Sequence, residues 1–273
     1  TASVDYRLGW NPAAPTEEQR RSSLINAAYR GVQDARTCIR FFRRDHDENG
    51  NRFGIDPSKI VLWGQGTGGY ISLNTMILDD YNKIPTTPKF VTTDNQGNPI
   101  PMIIPQVNGD IYGTSFGVNP NDGDTLCYPN HVGYSSDFAM CVNLGGAAGD
   151  TSWIDPGQQP AVSFHVPTDM FAPYKEGVVV VPIDPPQSVV TVQGSYLIQK
   201  LANEYGNNDP FIQANINDTY TQVANARNDG YKGLCPLIGS IPADNAPWDW
   251  WDTTNQNHDN SIMTNPDMSP EKA

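Results

Sequence analysis

One stretch constrains this chain more than any other: an apolar run passes through a glycine-dense turn straight into a helical pattern. Ile60-Val61-Leu62-Trp63 is short, continuous and apolar, and reads as a buried strand. It enters Gly64-Gln65-Gly66-Thr67-Gly68-Gly69, and Tyr70 to Leu78 then reads as a helix. Upstream, Thr16 with Glu17 and Glu18 opens a long amphipathic helix. Its apolar residues Leu24, Ala28, Val32, Ala35, Ile39 and Phe42 recur at three- and four-residue spacing as far as Arg44. Helix, strand, glycine turn and helix in that order is the pattern of a parallel sheet with crossover helices, so the fold class is α/β.

Downstream the pattern breaks. From about residue 85 to 136 Pro, Asn, Gly and Asp are interspersed with short extended pieces, which predicts a polar insertion. Phe90-Val91-Thr92-Thr93 and Met102-Ile103-Ile104 flank Asp94-Asn95-Gln96-Gly97-Asn98, a hairpin-loop composition. Strand character returns at Ala139–Gly146 and at Ala161–Val166. Ser195 then reads as the N-cap of a helix reaching about Tyr205. The alternation in Thr1–Tyr6 predicts a strand at the start, and Ser269-Pro270-Glu271 starts a capped helix just before the last residue. Both ends therefore read as truncated, within one domain that spans residues 1–273.

Thirty Asp and Glu against 17 Lys and Arg give a formal charge of −13, which argues against nucleic acid and anionic membranes as partners. Eight arginines between Arg20 and Arg52 crowd into one early stretch. No run of about 18 apolar residues exists, so no membrane span is expected. Cys38, Cys127, Cys141 and Cys235 contain no close pair, which leaves two disulfides or four buried thiols. The acidic, Asn-rich, Lys-poor composition reads as that of a secreted or cell-surface protein, with Cys127 to Cys141 as one available bridge.

A buried strand that turns through Gly-x-x-x-Gly-Gly into a helix is the geometry of a nucleophile elbow. It lifts one side chain above the sheet edge and lets the next backbone N–H help bind an oxyanion. The residue at that apex is Gly66, which has no side chain and can be neither nucleophile nor base. Thr67, one step on, faces another direction and does not replace it. Gly64, Gly66 and Gly69 also satisfy the dinucleotide spacing Gly-x-Gly-x-x-Gly. No apolar strand precedes the acidic pair Asp79-Asp80, however, where that fingerprint would need one.

The combination of Tyr6-Arg7-Leu8-Gly9-Trp10, Gln33-Asp34-Ala35-Arg36 with Ile39-Arg40-Phe41-Phe42, Gly54-Ile55-Asp56-Pro57 and the glycine turn resembles the α/β-hydrolase carboxylesterase and lipase family, of the secreted bacterial type, over about residues 1–80. The resemblance continues more weakly at Ser163-Phe164-His165-Val166-Pro167-Thr168-Asp169, similar to the family's His-Gly-x-x-Asp strand with Val166 in the glycine's place. It implies an α/β-hydrolase fold with a mainly parallel sheet flanked by helices. It puts Gly66 at the nucleophile position, inactive as written, Asp169 at the triad acid and the Thr67 N–H in the oxyanion hole. By chain order His258 is the base, in Asn257-His258-Asp259 rather than the family's Gly-x-His setting. No His-Gly pair exists to supply the family's oxyanion loop.

Two further motifs stand apart from that frame. Asp45, Asp47, Asn49 and Asn51, with Gly50 and with Asp56 at the twelfth place, match a calcium loop, the alternative being a polar connector. Trp248-Asp249-Trp250-Trp251-Asp252 reads as core packing at a loop or as the lining of a sugar or aromatic-ester pocket. The functional expectation is a pseudo-hydrolase that binds a small-molecule ester or a protein or glycan partner. Its rival is an ester hydrolase whose elbow serine was removed or misread.

Overall fold

The computed structural model describes residues 1–238. Helix α1, Glu17–Glu48, starts where the sequence places it. The Thr16 hydroxyl accepts from the Gln19 N–H while the Gln19 side chain accepts from the Thr16 N–H, which satisfies two donors that a helix start leaves orphaned. It runs one turn further than its apolar pattern and absorbs Asp45 and Asp47. Strand β1, Val61–Gln65, and helix α2, Thr67–Ile77, follow with Gly66 between them.

The insertion carries the hairpin β2, Val91–Thr93, and β3, Pro99–Pro101, then the short helix α3, Pro105–Asn108, and a second ribbon of β4, Gly117–Val118, and β5, Thr125–Cys127. Beyond it come β6, Met140–Leu144, β7, Ala147–Ala148, β8, Ala161–His165, β9, Glu176–Val181, and β10, Gln187–Gly194. Helices α4, Ser195–Glu204, α5, Asp209–Ala214, and α6, Thr219–Asn225, lead to β11, Leu234–Pro236.

β1, β6, β8 and β11 form one four-stranded sheet in that order, every pair parallel. The chain is thus α/β, with helices packed on a small parallel sheet. Each strand is reached by a crossover, so all four carboxyl ends lie on one edge, the edge where such sheets hold their ligands. A separate antiparallel sheet, β7-β10-β9, extends beside it. No helix among the described residues is long and apolar enough to cross a membrane.

The early arginine crowd is internal scaffolding. Arg40 is buried and donates to the side chain and carbonyl of Asn130. Arg36 donates to Thr75 O, Leu78 O and Ser136, and Arg20 to Ala14 O and Ser188 O. α1 uses these guanidinium groups to tie the insertion and β10 to the core.

Three expectations are corrected. Residues 1–6 form no strand, since a strand needs a partner to pair with. Instead the Arg7 backbone N–H and guanidinium are both held by Asp34. Ser195 is the first residue of α4 and Gly194 its N-cap, because the Ser195 hydroxyl is engaged in the core. The four cysteines are free thiols. Cys141 lies in the central sheet, whereas Cys127 packs against Gly109 in the insertion.

Candidate functional site at the sheet edge

Gly66 sits at the junction of β1 and α2 with φ 57° and ψ −118°, a region that side chains other than glycine's enter only under strain. Its N–H donates to Leu144 O at 2.9 Å and its carbonyl accepts from the Tyr70 N–H at 3.1 Å, so the apex is tied to both the neighbouring strand and the new helix. The turn is tight because Gly64 allows it: a Cβ there would lie 1.8 Å from the Gly68 carbonyl oxygen. Thr67 follows as the first, exposed residue of α2.

Asp169 lies four residues beyond β8, on the same edge of the sheet. Its carboxylate is buried, and Oδ1 accepts from the backbone N–H groups of Phe171 and Ala172 at 2.7 and 3.1 Å. The loop meets the elbow helix directly, because the Tyr70 hydroxyl, one turn into α2, donates to Phe171 O at 3.2 Å. Burial, reinforced by the Asp169 charge, pushes the Tyr70 hydroxyl well above the usual tyrosine range and keeps it a donor.

Behind Asp169 lies a polar network that sequence reading missed. The His165 ring is fully buried, and burial pushes its pKa down to about 4, so it is neutral at pH 7. Nε2–H donates to Ala172 O at 3.0 Å, which leaves Nδ1 to accept from the Ser195 hydroxyl at 2.7 Å. With a neutral ring, the 3.8 Å separation between Nε2 and Asp169 Oδ2 is not an ion pair. Asn143 donates to Ser195 at 3.0 Å and to Ser163 at 3.2 Å, and Gln199 donates to Ser163 at 2.9 Å. Ser195 and His165 are both sealed from solvent, so this serine–histidine contact is structural. It fixes Ala172, and Ala172 in turn fixes Asp169. The available signal was the polar residues at alternate positions, Ser163 and His165, of an otherwise apolar run.

The structure therefore brings Gly66, Thr67 and Asp169 to one sheet edge. His258 and the Trp248, Trp250 and Trp251 cluster lie outside the described residues.

The calcium-loop residues are turned to other partners. Asp45 is buried within α1, where it accepts from the Arg52 N–H and pairs with the Arg52 guanidinium at 2.5 Å. Asp47 pairs with His46. Asn51 brackets Ile55 with both side-chain atoms, and Asp56 caps Ser58 and meets Lys59. Asn49 is the C-cap of α1. Among the described residues no group of three or more His, Cys, Asp and Glu side chains is placed to hold a metal.

In comparisons with protein-family models, curated proteins and solved structures, the chain matches none.

Proposed function

We propose that this chain is an α/β-hydrolase-type domain, carboxylesterase-like in its layout, whose elbow lacks a nucleophile, and that it serves as a binding or structural module at the cell surface or outside the cell. The observation that carries the reading is Gly66 at φ 57° on a strand-to-helix turn made tight by Gly64. The backbone keeps the shape that presents a nucleophile while the side chain that would attack is missing. With no hydroxyl or thiol at the apex no acyl-enzyme forms there. Asp169, held by two backbone N–H groups on the same edge, supports the reading as the residue at the acid position. The partner on this reading is a small-molecule ester, or a protein or glycan that presents a similar group.

The same arrangement fits an ester hydrolase deprived of its serine, and one comparison separates the two. Hydrolysis of p-nitrophenyl acetate by the protein as found is measured beside a Gly66→Ser variant. The proposal requires silence from the protein as found, and turnover by it would overturn the proposal. Turnover by Gly66→Ser alone would mean that acid, base and oxyanion hole persist and that the loss is recent or artificial. Silence in both variants would mean that the remaining machinery has decayed as well, and the search would turn to binding partners.

A further inference from the structure

A small polar cavity opens at the amino ends of the parallel strands, at the opposite end of the sheet from Gly66. Residues 136–138 lead into β6 and residues 155–159 into β8, and the last turn of α2 supplies Thr75 and Met76. The cavity measures about 200 Å³, room for about six or seven waters at ~30 Å³ each and less than a drug-sized ligand needs. Buried Met76 and Phe138 give it an apolar wall. Arg36 enters the lining from α1 and is only 8% exposed. Its Nη1 donates to the Ser136 hydroxyl and its Nη2 to the Thr75 and Leu78 carbonyls, while Nε–H has no partner among the described residues. A buried donor without an acceptor is costly, and it points to a group still to be bound.

We infer that this cavity binds one uncharged sugar ring. The groups free to bond there are of both kinds: the Asp137 carboxylate and Asp155 Oδ1 accept, and the Ser136 hydroxyl and the Gln159 amide donate. Among the described residues neither the Asp137 carboxylate nor the Gln159 amide has a hydrogen-bond partner. Sugar hydroxyls, which donate and accept at once, match such a set, and the C–H face of the ring suits Phe138 and Met76. The place of a cation is already filled. Lys83 Nζ lies 2.5 Å from Asp79 Oδ1 and 2.6 Å from Asp155 Oδ2, and it donates to the Ile77 and Trp153 carbonyls. Arg36 is a second positive charge, and burial pulls its pKa down although Asp79 and Asp137 oppose this. A further cation would be repelled by these two charges, and an anion by the exposed Asp137 and Asp155. The inference does not depend on what Gly66 does.

The test titrates the full chain with D-glucose, D-galactose and D-mannose and with their methyl glycosides. Binding is read by saturation-transfer NMR and by the rise in melting temperature, since a ligand stabilises the state it binds. At least one of these sugars should bind. Asp137→Ala and Gln159→Ala, at an exposed and a half-buried position, should fold and should each weaken that binding at least tenfold. Binding of a methyl glycoside would mark the ligand as the terminal residue of a glycan, and binding of reducing sugars alone would mark it as a free monosaccharide; either supports the inference. No binding by any of them, or binding that both variants retain, would overturn it. The charge argument has its own control. The 2-amino and uronic acid forms of the sugar that binds should bind more weakly than the neutral form, and tighter binding by either would overturn the assignment to an uncharged ring.

Discussion

The Tyr70 hydroxyl donates to the Phe171 carbonyl at 3.2 Å, and this bond joins the first turn of the elbow helix to the loop that carries Asp169. It spans 101 residues of sequence to connect the two parts of the candidate site. Removing the oxygen leaves the ring packed while taking the tyrosine donor from one carbonyl. Tyr70→Phe should therefore cost about 1 kcal/mol of global stability. Amide exchange at residues 169–172 should accelerate more than at α2. Equal protection in both proteins would show that the loop is held without this bond.

His165 gives the fold a pH dependence with a definite sign. Its folded pKa is depressed to about 4 by burial, whereas the unfolded ring titrates near ~6.5. Between those values the unfolded state binds the extra proton, so stability is fully present above about pH 6.5 and falls as pH drops toward 4. Urea midpoints at pH 7.5, 6 and 5 should decline in the wild type. In His165→Gln, lower in stability throughout, the part of this decline between pH 6.5 and 5 should be missing. Parallel declines in the two proteins would assign the effect to carboxylates instead.

Three of the parallel strands, β1, β6 and β8, were legible because each is an apolar run ended by turn residues, whereas β11, three residues ending in a proline, was not. Helix α1 was legible because Val32, Ala35 and Ile39 keep a helical period on its buried face, although Leu24, Ala28 and Phe42 of the expected stripe are only half-buried. The hairpin of β2 and β3 was legible for a local reason: Asp94 Oδ1 accepts from the Gln96 and Asn98 N–H groups, chemistry that fits inside five residues. Gly66 could be placed at the sheet edge because it follows directly on a readable strand, whereas Asp169, four residues past β8, was singled out only by the family resemblance. What stayed hidden was non-local. The network of Asn143, Ser195 and His165 closes contacts across 52 and 30 residues, which no periodicity reveals. β9 and β10 were obscured by Pro182, Pro185 and Pro186, which make the valine-rich segments on either side look like loop. The strand expected at residues 1–6 shows the reverse error, an alternation with no partner to pair with.

The arginines of α1 act as struts, and Arg40 tests this most sharply. It is buried, its pKa is pulled down to about 10 by desolvation, and it donates to Asn130 Oδ1 at 2.6 Å. Arg40→Leu removes the cost of burying the charge but takes one donor from the Asn130 side chain, which keeps the Thr37 hydroxyl, and the guanidinium donor from the Asn130 carbonyl. The net loss should be about 2–4 kcal/mol. Amide exchange should rise first around residues 110–131, with the parallel sheet still protected. Uniform loosening would contradict the strut assignment.

The elbow makes a prediction in which two neighbouring glycines behave oppositely. At Gly64 an added methyl would meet the Gly68 carbonyl at 1.8 Å, and that oxygen belongs to backbone fixed by the helix start. Gly64→Ala must therefore open the turn itself, at a cost of at least ~3 kcal/mol. At Gly68 an added methyl meets nothing within 4 Å, and the residue lies inside α2. Replacing a helical glycine by alanine removes backbone freedom from the unfolded chain, so Gly68→Ala should gain ~0.5–1 kcal/mol. Denaturant titration of the two variants measures both. A tolerated Gly64→Ala would mean that β1 does not enter α2 through this turn, and the placement of Gly66 as its apex would fall with it.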